Sequence, residues 1–238
     1  MMMPFLMMPM QVFAQEQGQD KHHAKDHQHG SEIYHAINIE TGYGGFTNGN
    51  DIWESDIKGW VGTDENKLLI KSEIERIDDV TDKNELWALY SRNIDDFWDA
   101  QIGVRHDFKP EHTSYLVVGF AGLAAYFMET HGYLFLSEDG DVTGEIKKDT
   151  DFLITQRTIL KPYGKLSLSA QDIPTQDTAT GFTEAELGLQ TRYEMTRAFA
   201  PYIDMKYKQK LGETANIANQ NGGDSHSFMT TVGVKLLF

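Results

Sequence analysis

The 238-residue sequence predicts an all-β fold: a transmembrane, antiparallel, up-and-down β-barrel of about twelve strands, preceded by a disordered His-rich N-terminal arm. Three observations carry this prediction. From Ile33 onward, short segments alternate apolar and polar side chains, and period two places the two sets on opposite faces of a strand. The segments run to about ten residues or more, the length of a tilted membrane strand rather than the ~5–6 residues usual in soluble sheets. Their polar faces carry charges of both signs, as a hydrated lumen requires.

In chain order, the first element is MMMPFLMMPMQVFAQEQ, whose short apolar core ends at Val12-Phe13-Ala14. The residues at −3 and −1 suit signal peptidase, so residues 1–14 read as a signal peptide, although the usual positive n-region is missing. The cluster Met1–Met3, Met7, Met8 and Met10 has the look of a copper(I) thioether box, but Met is also an ordinary residue of a leader core that cleavage discards. Residues 15–32 are polar and poor in large apolar side chains. They bury too little surface to offset ordering entropy, which predicts a disordered arm.

Residues 33–238 read as the barrel. The closing SFMTTVGVKLLF shows the pattern best: Phe228, Thr230, Val232, Val234, Leu236 and Phe238 share one face, and Met229, Thr231, Gly233, Lys235 and Leu237 the other. FTEAELGLQTRYE sets Ala185, Leu187, Leu189 and Tyr193 against Glu184, Glu186, Gln190, Arg192 and Glu194. APYIDMKYKQK sets Ile203, Met205 and Tyr207 against Asp204, Lys206 and Lys208. Val142–Leu160 reads as a further alternating segment, with Glu145, Lys147, Asp149, Asp151, Thr155 and Arg157 turned to the lumen. Glu85–Ile102 has helical spacing, yet consistency with its neighbours predicts two strands turning at Asn93–Asp96. Tyr115–Gly122 does not alternate, and small lumen-facing residues are the expected reason.

Two long loops, Asp172–Gly181 and Gly212–His226, fall at one end of this meander. The short turns Thr63–Asn66, Asn93–Asp96, Pro162–Gly164 and Met195–Phe199 fall at the other, the asymmetry of outer-membrane barrels. Trp53, Tyr90, Trp98, Tyr126, Tyr133, Tyr193, Tyr202 and Phe238 lie near strand ends, where aromatic girdles sit; a core role is the alternative.

Composition narrows the function. A formal charge of −15 disfavours nucleic acid, which needs Lys and Arg against its phosphates. Without cysteine there is no disulfide, thiolate metal site or Cys nucleophile. Mean hydropathy is −0.46, which does not exclude a membrane barrel, because only every second residue meets lipid. No phosphate loop, GxSxG, HExxH or dinucleotide fingerprint is present, so no enzyme is expected.

FWDAQIGVRHDF (97–108), GFAGLAAYFMET (119–130), SEDG (137–140), DFLITQRTILKP (151–162), ELGLQTRYEMTRAFAPYI (186–203), LGETA (211–215) and the closing VGVKLLF, in this order and spacing, resemble the outer-membrane copper resistance protein B family. The resemblance covers about Tyr34 to Phe238 and departs from the family pattern at Ala125, where relatives often have Pro. It implies an outer-membrane barrel of a Gram-negative bacterium that acts in copper tolerance, with outer-membrane lipid around it and the arm in the periplasm. Relatives are associated with a periplasmic copper oxidase, which the resemblance adds as a partner.

The arm's KHHAKDHQHG places His22, His23, His27 and His29 within reach of one ion, with Asp26 or Asp20 to supply oxygen. Imidazole nitrogen suits copper(II), although zinc and nickel accept the same ligands. A solvated polar tail is the alternative reading of the tract. In the barrel, Glu129 and His131 share one face of one strand and form the candidate lumen metal pair. The other lumen charges read as a rigidifying ion-pair lattice. The sequence therefore predicts a copper-handling barrel. The alternatives are a general diffusion pore or structural barrel with an incidental His tail, and a soluble periplasmic β protein that binds metal.

Overall fold

The computed structural model describes residues 32–238. The leader and the arm, with His22, His23, Asp26, His27 and His29, lie outside the described residues. The strands are β1 (Tyr34–Phe46), β2 (Asp51–Gly62), β3 (Asn66–Ile77), β4 (Val80–Asp95), β5 (Trp98–Lys109), β6 (Thr113–Ala124), β7 (Met128–Ser137), β8 (Val142–Asp149), β9 (Phe152–Leu153), β10 (Thr158–Ser169), β11 (Gly181–Tyr193), β12 (Phe199–Lys210) and β13 (His226–Leu237). Every pairing is antiparallel and, apart from β8 with β10 across the short β9, joins strands that adjoin in sequence, and β1 with β13 closes the ring. Both β8 and β9 pair with β10, so the thirteen segments occupy twelve positions around a closed barrel.

Alternation does the work expected of it. In β4, Lys83, Glu85, Trp87, Leu89 and Ser91 point inward, while Leu86, Ala88 and Tyr90 are exposed outside. The same holds for β11, β12 and β13, so Leu187, Ile203, Met205 and Val232 belong to an apolar belt that surrounds the barrel. A soluble sandwich buries such residues; here they face outward and the charges face in, which removes the soluble β alternative. Among the described residues no helix is long and apolar enough to cross a membrane.

The segment with helical spacing is indeed two strands, β4 and β5, turning at Asp96–Phe97. Two long loops share one end of the barrel, hereafter the loop end, and both termini of the described chain share the other, the terminal end. The 211–225 loop contains a helix, α1 (Gly212–Gln220). At the loop end β3 and β4 meet in the two-residue turn Asp78–Asp79, both at positive φ, which suits the right-handed twist of a hairpin.

Four sequence expectations are corrected. Pro162 and Gly164 lie inside β10, and the turn is at residues 154–157. Pro162 is tolerated because the pairing of β10 is interrupted between β8 and β9, at Thr150–Asp151, where its carbonyl still accepts from the Thr150 N–H but its missing N–H is not called on. Val142–Leu160 is therefore not one segment: Thr155 and Arg157 are exposed in the turn, and Leu160 belongs to the next strand. Tyr115–Gly122 does alternate: Tyr115, Val117, Gly119 and Ala121 point inward, so small residues supply only half of the lumen face and both faces are apolar. Tyr133 and Tyr202, each 5% exposed, are lumen residues and not girdle. Tyr202 lies flat over β13, where a Cβ on Gly233 would come within 2.5 Å of its ring. Trp53, Tyr90, Tyr126, Tyr193 and Phe238 are exposed, as girdle positions require.

The lumen is two-sided. On β4, β6 and β7, the residues Trp87, Leu89, Tyr115, Val117, Tyr133 and Phe135 form a buried cluster, with Leu69 of β3 against it. Trp87 meets Tyr133 and Phe135 edge-on at 5.4 and 5.3 Å. The Arg105 guanidinium stacks 4.5 Å from Tyr115 and 4.8 Å from Phe135, and Asp107 holds it at 2.5 and 2.7 Å. Beyond Arg105 and Asp107 of β5, most of the lumen charge lines the strands across from this cluster.

Candidate metal centre at the terminal mouth

The charged half of the lumen is a lattice of ion pairs. Lys235 reaches Glu40 at 2.8 Å, Lys206 reaches Glu54 at 2.9 Å, Lys83 reaches Glu73 at 2.7 Å, and Lys208 lies 3.4 Å from Glu75. Gln190 donates to Glu40 at 3.1 Å across 150 residues of chain. Arg192 grips Asp151 with both terminal nitrogens, at 3.0 and 2.5 Å. Most of the lumen charges thus serve structure, as the sequence reading holds.

Two cavities remain between them. A mid-barrel cavity of about 160 Å³ is lined by Glu54, Glu145, Lys147, Lys161, Tyr163 and Asp204, among others. A larger one, about 390 Å³, lies toward the loop end beside Arg105, Asp107 and Thr113. Gln176, in the 170–180 loop, closes over it by donating to the Tyr115 hydroxyl at 3.2 Å. That loop is braced in turn by Thr214 of α1, whose Oγ1 accepts from the Ala179 N–H at 3.0 Å.

Glu129 and His131 stand at the terminal end of β7, both inward, as the i, i+2 spacing requires. The β7–β8 register places Asp149 directly opposite Glu129 and Lys147 opposite His131. One ligand atom from each of Glu129, His131 and Asp149 lies within 4.8 Å of the other two. Glu129 is exposed at the mouth, His131 half-buried and Asp149 buried. The Nδ1 of His131 is buried and has no hydrogen-bond partner among the described residues. This imidazole and the two carboxylates could together hold a divalent ion. One nitrogen and two oxygens suit copper(II) or zinc and disfavour copper(I), which prefers sulfur. Three protein ligands leave positions open for exchange. Asp149 is not idle, for its Oδ2 accepts from Lys161 at 2.8 Å.

The sequence pair Glu129 and His131 is therefore brought together, and Asp149 joins it. The sequence places Asp149 in the lumen, but only the β7–β8 register sets it against Glu129. The arm ligands His22, His23, Asp26, His27 and His29 lie outside the described residues; the described chain begins at this same end of the barrel.

The family described as "Copper resistance protein B precursor (CopB)" matches residues 39–238. The chain belongs to this copper resistance protein B family. It is 34% identical over 183 residues to the Copper resistance protein B of Escherichia coli, covering 76% of this chain and 62% of that one. It is 32% identical over 184 residues to the Copper resistance protein B homolog of Pseudomonas syringae pv. tomato (strain ATCC BAA-871 / DC3000), covering 77% of this chain and 63% of that one. It thus spans less than two thirds of the length of these relatives. Among solved structures, the barrel resembles the NanC porin, with TM-score 0.57, 15% identity, 84% of this chain and 98% of that one. It also resembles the KdgM porin, with TM-score 0.51, 10% identity and the same coverage. At such identity the likeness is one of fold.

Proposed function

We propose that this member of the copper resistance protein B family is an outer-membrane barrel that handles copper and contributes to copper resistance. The apolar belt supports a lipid setting, with the terminal end in the periplasm and the long loops outside, the arrangement usual for bacterial barrels. In this reading residues 1–14 are removed, and the His arm of residues 15–32 collects excess copper(II). The cluster of Glu129, His131 and Asp149 takes the ion at the periplasmic mouth. The barrel then stores it or passes it outward, and a periplasmic copper oxidase is the partner that family resemblance suggests. The observation that carries the reading is the convergence of His131 with Glu129 and Asp149 at the end where the described chain begins, together with a His131 Nδ1 that has no hydrogen-bond partner among the described residues.

A second reading has its own support: the ion-pair lattice and the Gln176 contact over the loop-end cavity fit a structural barrel with an incidental His tail. Copper flux in liposomes carrying the purified full-length chain separates the two. Flux or retained copper that falls with deletion of residues 21–29 and with His131→Ala supports copper handling. Unchanged copper in both variants leaves the structural barrel.

A further inference from the structure

Lys161 stands between the metal cluster and the interior. Its ammonium holds the Oδ2 of Asp149 at 2.8 Å, and the same side chain lines the mid-barrel cavity, which Glu129, His131 and Asp149 do not. Tyr163 of β10 pairs with Asp149, so Lys161, two residues back on the same lumen face, is the diagonal neighbour of Asp149. Asp149 is buried, so solvent screens that ion pair less than it screens the exposed Glu129. A divalent ion entering the cluster must share Asp149 with a positive charge already there, or displace it; either way the resident charge opposes binding.

We propose that Lys161 is a displaceable counter-ion of the Glu129–His131–Asp149 cluster. The arriving ion takes Asp149 from it, the freed ammonium withdraws along the cavity wall, and its return expels the ion. Lys161 thereby makes the cluster a transfer point rather than a store. This inference rests on the reading of the cluster as a metal site.

The test uses the full-length chain in detergent, with copper(II) binding followed by electron paramagnetic resonance. Each form is compared with the same form carrying His131→Ala, so that copper held elsewhere cancels. Lys161→Gln is expected to lower the Kd of the His131-dependent copper by roughly ten-fold or more, and to slow its removal by EDTA to a similar degree. Lys161→Arg, which keeps the charge, is expected to leave both within about three-fold. Lys161→Met, close in length, replaces the glutamine variant if that one fails to assemble. An unchanged Kd and release rate in the uncharged variant overturn the counter-ion role while leaving the metal site standing. Absence of any His131-dependent copper overturns the metal site itself.

Discussion

Phe238 and Ile37 exchange both of their backbone hydrogen bonds, 2.9 Å in each direction. The last residue of the chain is thereby zipped to the first strand, just beyond the pairing of Asn38 with Leu237. A barrel without this closure has two unpaired edges at its terminal end, and unpaired backbone groups have no partner in lipid. Deleting Phe238 removes both bonds, a loss of about 2 kcal/mol at ~1 kcal/mol each. Refolding into lipid vesicles, followed by heat-modifiable migration on gels, is expected to show a lower yield. Phe238→Ala keeps the backbone and, because the side chain is exposed, should refold near normally.

Trp87 is the hub of the dry half of the lumen, edge-on to two aromatic rings and donating its indole N–H to Glu85 at 3.0 Å. Trp87→Ala empties that hub and takes one hydrogen bond from Glu85, which keeps Lys83 at 3.2 Å. The expected cost is about 3–5 kcal/mol, read from urea unfolding in vesicles. A variant of normal stability would mean that the cluster collapses freely around the gap.

One neutral hydrogen bond ties the 170–180 loop to the opposite wall, from Gln176 to the Tyr115 hydroxyl. Tyr115→Phe removes it at a cost of only ~1 kcal/mol, because the ring and its stacking on Arg105 remain. Planar-bilayer recording is expected to show a higher or more frequently open conductance with barrel stability almost unchanged. An identical current trace would show that this loop does not govern the opening.

Removing the imidazole should be felt by copper and by little else. His131→Ala is expected to lower copper bound per chain, measured by atomic absorption after desalting. Lys148→Ala, on the outer face of the neighbouring strand, should not change it. Equal stoichiometry in the two variants would remove His131 from the ligand set.

The twelve-position barrel was readable in the sequence because period two is a local property: Thr231 and Lys235 declare their face within β13 with no knowledge of its partners. What was not readable depends on pairing. Pro162 and Gly164 look like a turn until the lapse at Thr150–Asp151 accounts for them. Tyr133 and Tyr202 look like girdle residues by position along their strands. Tyr202 lies inside because glycine on β13 leaves room for a ring. Likewise Glu129 and His131 announce each other two residues apart, whereas Asp149 joins them only through the register of β7 against β8.

The aromatic cluster on β4, β6 and β7 also divides the molecule by consequence. The charges of β10 to β13 and β1 to β2 face it across the lumen, while Arg105 and Asp107 of β5 and Glu129 and His131 of β7 set polar groups at its own edges. Changes on the greasy flank should alter how long the tube survives heat or urea. Changes to the lumen charges should instead alter which ions the interior attracts.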